Sequence, residues 1–198
     1  MHHFAYKNGR LHCEGVALDD IAARFGTPVY VYSSQTLERH YTVFEQAFAP
    51  RKVKIAYAMK ANSNVAVLRT LAKLGAGADT VSAGEVRRAI AAGIPAEKIV
   101  LSGVGKTRDE LEYALETGVG QINIESEPEM NLLEQVAKEM GRRQKIAIRV
   151  NPDVGAGGHA KITTGKSENK FGVSFETASR LYARAANSAH LEPIAIAC

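Results

Sequence analysis

VKIAYAMKAN, Val53 to Asn62, is the stretch whose reading decides the fold. If it is a strand, alternation sends Val53, Ile55, Tyr57 and Met59 to one face and Lys54, Ala56, Ala58 and Lys60 to the other. Lys60 then ends the strand on a face of alanines, with room beside it. A lysine in such a partly desolvated place can act as a free amine that condenses with a carbonyl or with pyridoxal phosphate. A strand-end lysine also serves as a solvated cap that discourages edge pairing, and the stretch alone leaves both readings open.

Outward from it, the pattern repeats. Strand Val53 to Met59 is followed by helix Val65 to Leu74, strand Ala78 to Val81 by helix Gly84 to Ala92, and strand Ile99 to Ser102 by helix Thr107 to Glu116. Strand Gln121 to Ile124 precedes helix Pro128 to Met140, with proline in the first turn, where its missing N–H does no harm. Strand Lys145 to Val150 leads through a long polar loop to helix Phe175 to Asn187 and a last apolar run, Pro193 to Ala197. Strands separated by roughly 10 to 15 helical residues imply right-handed crossovers and a parallel sheet, either a barrel or an open doubly wound sheet. Gly75-Ala-Gly77-Ala-Asp-Thr80 lacks the third glycine of a dinucleotide fingerprint and precedes a strand. Candidate chemical residues recur at strand C-terminal ends, at Lys60, Asp79 to Ser82, Ser102 to Lys106, Glu125 and Arg149 to Asn151, where barrel enzymes build their sites. The expected fold is therefore α/β, an incomplete (β/α)8 barrel. A complete barrel needs about 250 residues, whereas this chain supplies six strands and ends within the sixth, as a truncated piece would.

Before Val53, Asn8-Gly9 predicts a hairpin between strands near Tyr6 and Leu11, followed by a helix from Ala17 to Phe25. Val29 to Tyr32 reads as a strand. Ser33 or Ser34 caps a helix to about Phe48, whose stripe of Leu37, Tyr41, Phe44 and Phe48 is expected in the core. Two domains follow: a lead-in over residues 1–32, and the partial barrel over 33–198.

Composition narrows the class. At 45% hydrophobic and 23% charged, the 198 residues are those of a globular chain. Its net charge of +4 comes from interleaved residues, without a basic block to track nucleic acid. Cys13 and Cys198 lie at opposite ends and lack disulfide-framework or zinc spacing, so a cytoplasmic location is expected. No run approaches 18 apolar residues, which argues against a membrane span.

The other motifs each admit a plain reading. Ser102-Gly-Val-Gly-Lys106-Thr107 invites a phosphate-loop assignment, but that pattern needs glycine where Val100 stands, so Lys106 reads as a helix-start lysine in water. Glu85 falls in a helix first turn, where the macrodipole favours an acid. Asp79 has no such explanation, and a carboxylate beside an amine at a barrel mouth can stabilise the amine's charged forms. From Arg149 to Gly172 runs a glycine-rich loop of about twenty residues, a length typical of functional lids; His159 within it is a candidate for facing a ligand.

Taken together, these blocks resemble the fold-type III pyridoxal-phosphate decarboxylases, and within them the diaminopimelate decarboxylases. The match runs from FAYKNGRLHCEGVALDDIAARFGTPVYVYSS (Phe4 to Ser34) through YAMKAN, GADTVSAGE and RVNPDV to HAKITTGKSENKFG, which ends at Gly172. The resemblance implies pyridoxal 5'-phosphate held covalently by Lys60, with Asp79, Glu85 and Arg149 as its neighbours and His159 near substrate or lid. It implies decarboxylation of meso-2,6-diaminopimelate to L-lysine, a homodimer with shared sites, and a C-terminal β-domain against which residues 1–32 would pack. Decarboxylases of ornithine, arginine or carboxynorspermidine, and a non-catalytic cofactor-binding homologue, are the alternatives. In this family a HIGS-like histidine motif, a glycine loop and an EPGR-like segment come later than Cys198, so the 198 residues alone are expected to be inactive.

Overall fold

The computed structural model describes residues 2–152 and 171–198. Asp153 through Lys170, and with them His159 and the glycine-rich part of the expected lid, lie outside the described residues.

β1 (Phe4–Lys7), β2 (Arg10–Cys13) and β3 (Val16–Ala17) form a small antiparallel sheet. Its first turn pairs Lys7 with Arg10 and places Asn8 at φ 51° and Gly9 at φ 77°, the two positive values that a two-residue hairpin needs. Helix α1 (Leu18–Phe25) follows, and α2 (Ser34–Ala47) starts where Ser33 Oγ accepts from Thr36 N at 3.0 Å. Glu14 joins the two parts: its Oε1 accepts from Ser33 Oγ at 2.7 Å and from Gln35 N at 3.0 Å. Those bonds, the Gln35 amide first, hold its pKa below the usual carboxylate value.

Two expectations about this region fail. Val29 to Tyr32 forms no strand, and Tyr30, 87% exposed, stacks on Tyr32 instead. Strand propensity reflects fit to a half-buried pleated surface, and among the described residues no neighbouring strand offers one. The α2 stripe is core only at one end. Leu37 and Tyr41 pack on Val67, Leu71 and Ala76, whereas Phe44 and Phe48 are exposed and meet edge-on at 5.1 Å.

The six remaining strands, β4 (Ala56–Ala58), β5 (Gly77–Thr80), β6 (Ile99–Leu101), β7 (Gln121–Ile124), β8 (Gln144–Arg149) and β9 (Leu191–Ala197), lie in chain order in one parallel sheet. Between them run α3 (Val65–Lys73), α4 (Ala83–Ala91), α5 (Arg108–Thr117), α6 (Glu127–Glu139) and α7 (Phe175–Ala186). Pro128 sits in the first turn of α6. β4 is shorter than the expected Val53 to Met59. It is an edge strand with one neighbour, and Val53 and Lys54 run exposed before it.

Alternation divides this sheet into two chemically different faces. Ile99, Leu101, Ile122, Ile124, Ile146 and Ile148 are all at most 1% exposed and pack with Val86, Leu111, Leu115, Met130, Leu133 and Leu181 of the helices. Burying one such side chain contributes about 1.5–3 kcal/mol, so this one-sided layer is the core. The other face carries Asp79, Val100, Ser102, Gln121, Asn123 and Arg149, all half-buried. A doubly wound sheet reverses its strand order and covers both faces with helices. Unreversed order with a single apolar face is an arc of a barrel, open at β4 and β9.

Candidate active site at the strand C-terminal ends

Each strand from β4 to β8 delivers a polar side chain to the same end of the arc. Past β4 the chain enters a 3-10 turn, Met59–Ala61. Met59, 1% exposed, plugs this turn into the core while Lys60 next to it is exposed. Beyond the turn, Tyr57 donates a long hydrogen bond of 3.4 Å to Asn62 O, and Asn64 N donates to Asn62 Oδ1 at 2.9 Å. Burial raises the Tyr57 phenol, so it stays a neutral donor. Lys60 thus sits on a pinned backbone, and its amine has no hydrogen-bond or ion-pair partner among the described residues. The partly desolvated niche expected for it is not built by these residues, because the arc is open beside β4.

Ala58 lies opposite Asp79 in the β4–β5 ladder, which brings Asp79 within two residues of Lys60 along the rim. The Asp79 carboxylate is half-buried and held: Ser102 Oγ donates to its Oδ1 at 2.5 Å, and Asn123 Nδ2 donates to Ser102 Oγ at 2.9 Å. Gln121 continues the file, donating to Asn123 Oδ1 at 2.7 Å. Four side chains on three strands therefore form one polar file on the inner face. The recurrence of polar residues at every second position of QINIE marks the β7 part of it in the sequence, a signal that the reading by strand ends passed over.

Glu85 does what its place in a first turn suggests. Its Oε2 accepts from Val81 N at 2.7 Å, and its own N–H bonds the cap residue Ser82 at 3.2 Å. Arg149 closes the far side, with Nη1 2.9 Å from Glu125 Oε1 and its guanidinium 5.6 Å from the Phe171 ring centroid. Phe171 is brought there by its neighbour. Gly172 has φ 90°, and a Cβ on it would come within 2.7 Å of Arg149 O, so the approach of Val173 N to that carbonyl at 2.8 Å requires glycine. Glu125 is 5% exposed, and its Oε2 has no hydrogen-bond partner among the described residues.

The solvated helix-start lysine expected at Lys106 is instead buried, with 2% of its side chain exposed. Its ammonium donates to Gly103 O at 2.6 Å, Asn123 O at 2.7 Å and Glu129 Oε1 at 2.7 Å, which uses all three protons. A helix-start lysine is free to turn inward when the next strand runs further than its own. β7 continues past the end of β6, and the ammonium supplies the donor that β6 no longer offers. Burial pushes the Glu129 carboxyl above its usual value, with the Lys106 charge acting in the opposite sense.

A cavity of about 1010 Å³ lies at the other end of the arc, lined by Lys54, Ala56, Gly77, Gln121, Lys145 and Glu192. It is the trough between the first and last strands, and its size reflects the open arc. At the opposite end the strand ends carry the Lys60 amine, the Asp79 carboxylate and the Arg149 guanidinium. No group of three metal-ligating side chains is found among the described residues.

These residues fit the aldehyde end of a pyridoxal cofactor. Lys60 offers an accessible amine on the rim beside β5, which carries the fixed Asp79 carboxylate, and the fixed Arg149 guanidinium stands three strands further on, at the end of β8.

A family profile described as pyridoxal-dependent decarboxylase, pyridoxal binding domain, matches residues 34–198. The chain is 50% identical over 195 residues to a diaminopimelate decarboxylase of Pseudomonas aeruginosa, covering 98% of this chain and 47% of that protein. It is 46% identical over 199 residues to the Vibrio cholerae enzyme of that name, covering 100% and 48%. Among solved structures, diaminopimelate decarboxylase from M. jannaschii superposes with a TM-score of 0.88 at 35% identity, over 98% of this chain and 46% of that one. The Helicobacter pylori enzyme in complex with L-lysine gives 0.86 at 41%, over 90% and 45%. The chain spans about half the length of the curated relatives it matches.

Proposed function

The chain belongs to the pyridoxal-dependent decarboxylases, and we propose that it forms the cofactor-binding half of an enzyme that converts meso-2,6-diaminopimelate to L-lysine and carbon dioxide. One observation carries this reading: an exposed Lys60 amine, without a partner among the described residues, on a pinned turn next in the rim to Asp79. Relatives named for this activity at 46–50% identity support the choice of substrate, as does the lysine in the Helicobacter pylori complex.

Lys60 would hold pyridoxal 5'-phosphate through the aldehyde carbon and, displaced by the substrate's amine, would stand by as a free amine to reclaim it. When bound there, the cofactor supplies an electron sink for the pair left behind by the departing carboxylate. Asp79, fixed by Ser102, places negative charge where Lys60 and the substrate amine pass through cationic states. Arg149, fixed by Glu125, sets a permanent positive charge on the far side, suited to anionic groups of cofactor or substrate. Glu85 positions the turn after β5. His159 would face the substrate from the lid. Residues 1–32 would pack against a following β-domain, and the enzyme would work in the cytoplasm as a homodimer, without nucleic acid or membrane.

Carbon dioxide release from meso-2,6-diaminopimelate by the full-length protein tests the reading, together with the visible absorbance of the bound cofactor. Lys60→Ala is expected to abolish both, and the 198 residues alone should release no carbon dioxide. Turnover or cofactor absorbance surviving in Lys60→Ala refutes it.

A further inference from the structure

We infer that Lys106, together with Glu129, is a positioning pair for the cofactor site, a role that rests on the reading above. Neither residue touches the rim. Between them they join the two strand ends that carry the Asp79–Ser102–Asn123 file. The ammonium holds Gly103 O, one residue past Ser102, and Asn123 O, the backbone of the third member. Its third proton goes to Glu129 Oε1 on α6, which also accepts from Glu125 N at 3.4 Å. Glu125 in turn holds Arg149. A single buried contact therefore fixes the backbone behind the Ser102–Asn123 hydrogen bond and, through Glu129, the acid that orients the guanidinium.

A structural salt bridge could exist for stability alone, and the arrangement separates the two roles. Replacing a buried ion pair by apolar side chains of similar volume is commonly neutral or stabilising. Lys106→Met with Glu129→Leu keeps the volume filled while removing both carbonyl contacts of the ammonium. What such a variant loses is the fixed spacing of the β6 and β7 ends. Reacting groups displaced by even an ångström cost up to about a hundredfold in function.

The experiment is a titration of pyridoxal 5'-phosphate into the full-length protein, followed by its protein-bound absorbance, alongside thermal unfolding of the unloaded protein. Lys106→Met/Glu129→Leu is expected to lose less thermal stability than Lys106→Met alone, because no charge is left buried, yet bind the cofactor about tenfold or more weakly. In a Ser102→Ala background, where the file is already cut, the same pair of substitutions should weaken binding less, acting there only through Glu125 and Arg149. Wild-type affinity in the double variant overturns the positioning role, and so does an equal loss in both backgrounds, which would mark a general structural effect. If the unsubstituted protein binds no pyridoxal phosphate at Lys60, the proposed function falls and this inference with it.

Discussion

Lys106→Met alone should destabilise the fold severely. It leaves a carboxylate with 6% of its side chain exposed and no counter-charge, and it strips two backbone carbonyls of their donor. Breaking a buried pair from one side costs about 3–5 kcal/mol. At roughly 2–4 °C per kcal/mol for a chain of this size, Tm should fall by about 6–20 °C. The loss should depend on pH. Burial already raises the Glu129 pKa in the fold, against the pull of Lys106, and removing Lys106 removes that opposition. A carboxyl whose folded pKa is raised contributes stability that is complete below the unfolded value and is lost as pH rises through the folded one. The variant should therefore be closer to wild type at about pH 5 than at about pH 8. Thermal unfolding followed by circular dichroism at both pH values is the assay. A Tm within about 2 °C of wild type, or the same deficit at both pH values, would refute the reasoning.

Arg149→Met should destabilise by about 2 kcal/mol, since Glu125 then stays buried without its charged donor while water reaches the place of a guanidinium that is itself one-third exposed; chemical denaturation measures it, and no change would show that Glu125 finds another partner. Gly120→Ala places a Cβ 2.2 Å from Glu97 O, a backbone atom that has to shift, so a loss of about 1–3 kcal/mol is expected in the same assay.

The barrel arc was legible because its strands bury one face against helices, and that demand imposes an apolar pattern the sequence displays without reference to partners. β7 is found where expected, Gln121 to Ile124, and the other strand and helix starts of the arc fall within two residues of their expected places, except β4, which starts three residues after Val53. Val29 to Tyr32 and the end of the α2 stripe were misread because both needed a surface to pack on, which local pattern does not supply. Lys60, Asp79 and Arg149 could be placed at strand ends, and Glu85 in a helix first turn, by periodicity alone. Lys106 could not. Whether a helix-start lysine turns into water or into the fold depends on how far the next strand runs, a property of two segments whose hydrogen-bonded partners are decided only in three dimensions. Asn123 and Glu129 escaped for the same reason.

Strand order that follows chain order also has a kinetic consequence. Ala56 pairs with Gly77, Ala78 with Ile99, and Val100 with Gln121, each 21 residues on, and Ile122 with Ile146 after 24. Successive strands thus close loops of nearly equal length, so that the entropic toll of joining them is levied in even, modest instalments. Only Gln144 to Leu191, 47 residues apart, departs from this rhythm. Closing that span costs about 0.7 kcal/mol more than closing 21 residues, by the logarithmic growth of loop entropy. The docking of β9, with α7 and the candidate lid in its loop, is for that reason the steepest step in assembling the sheet.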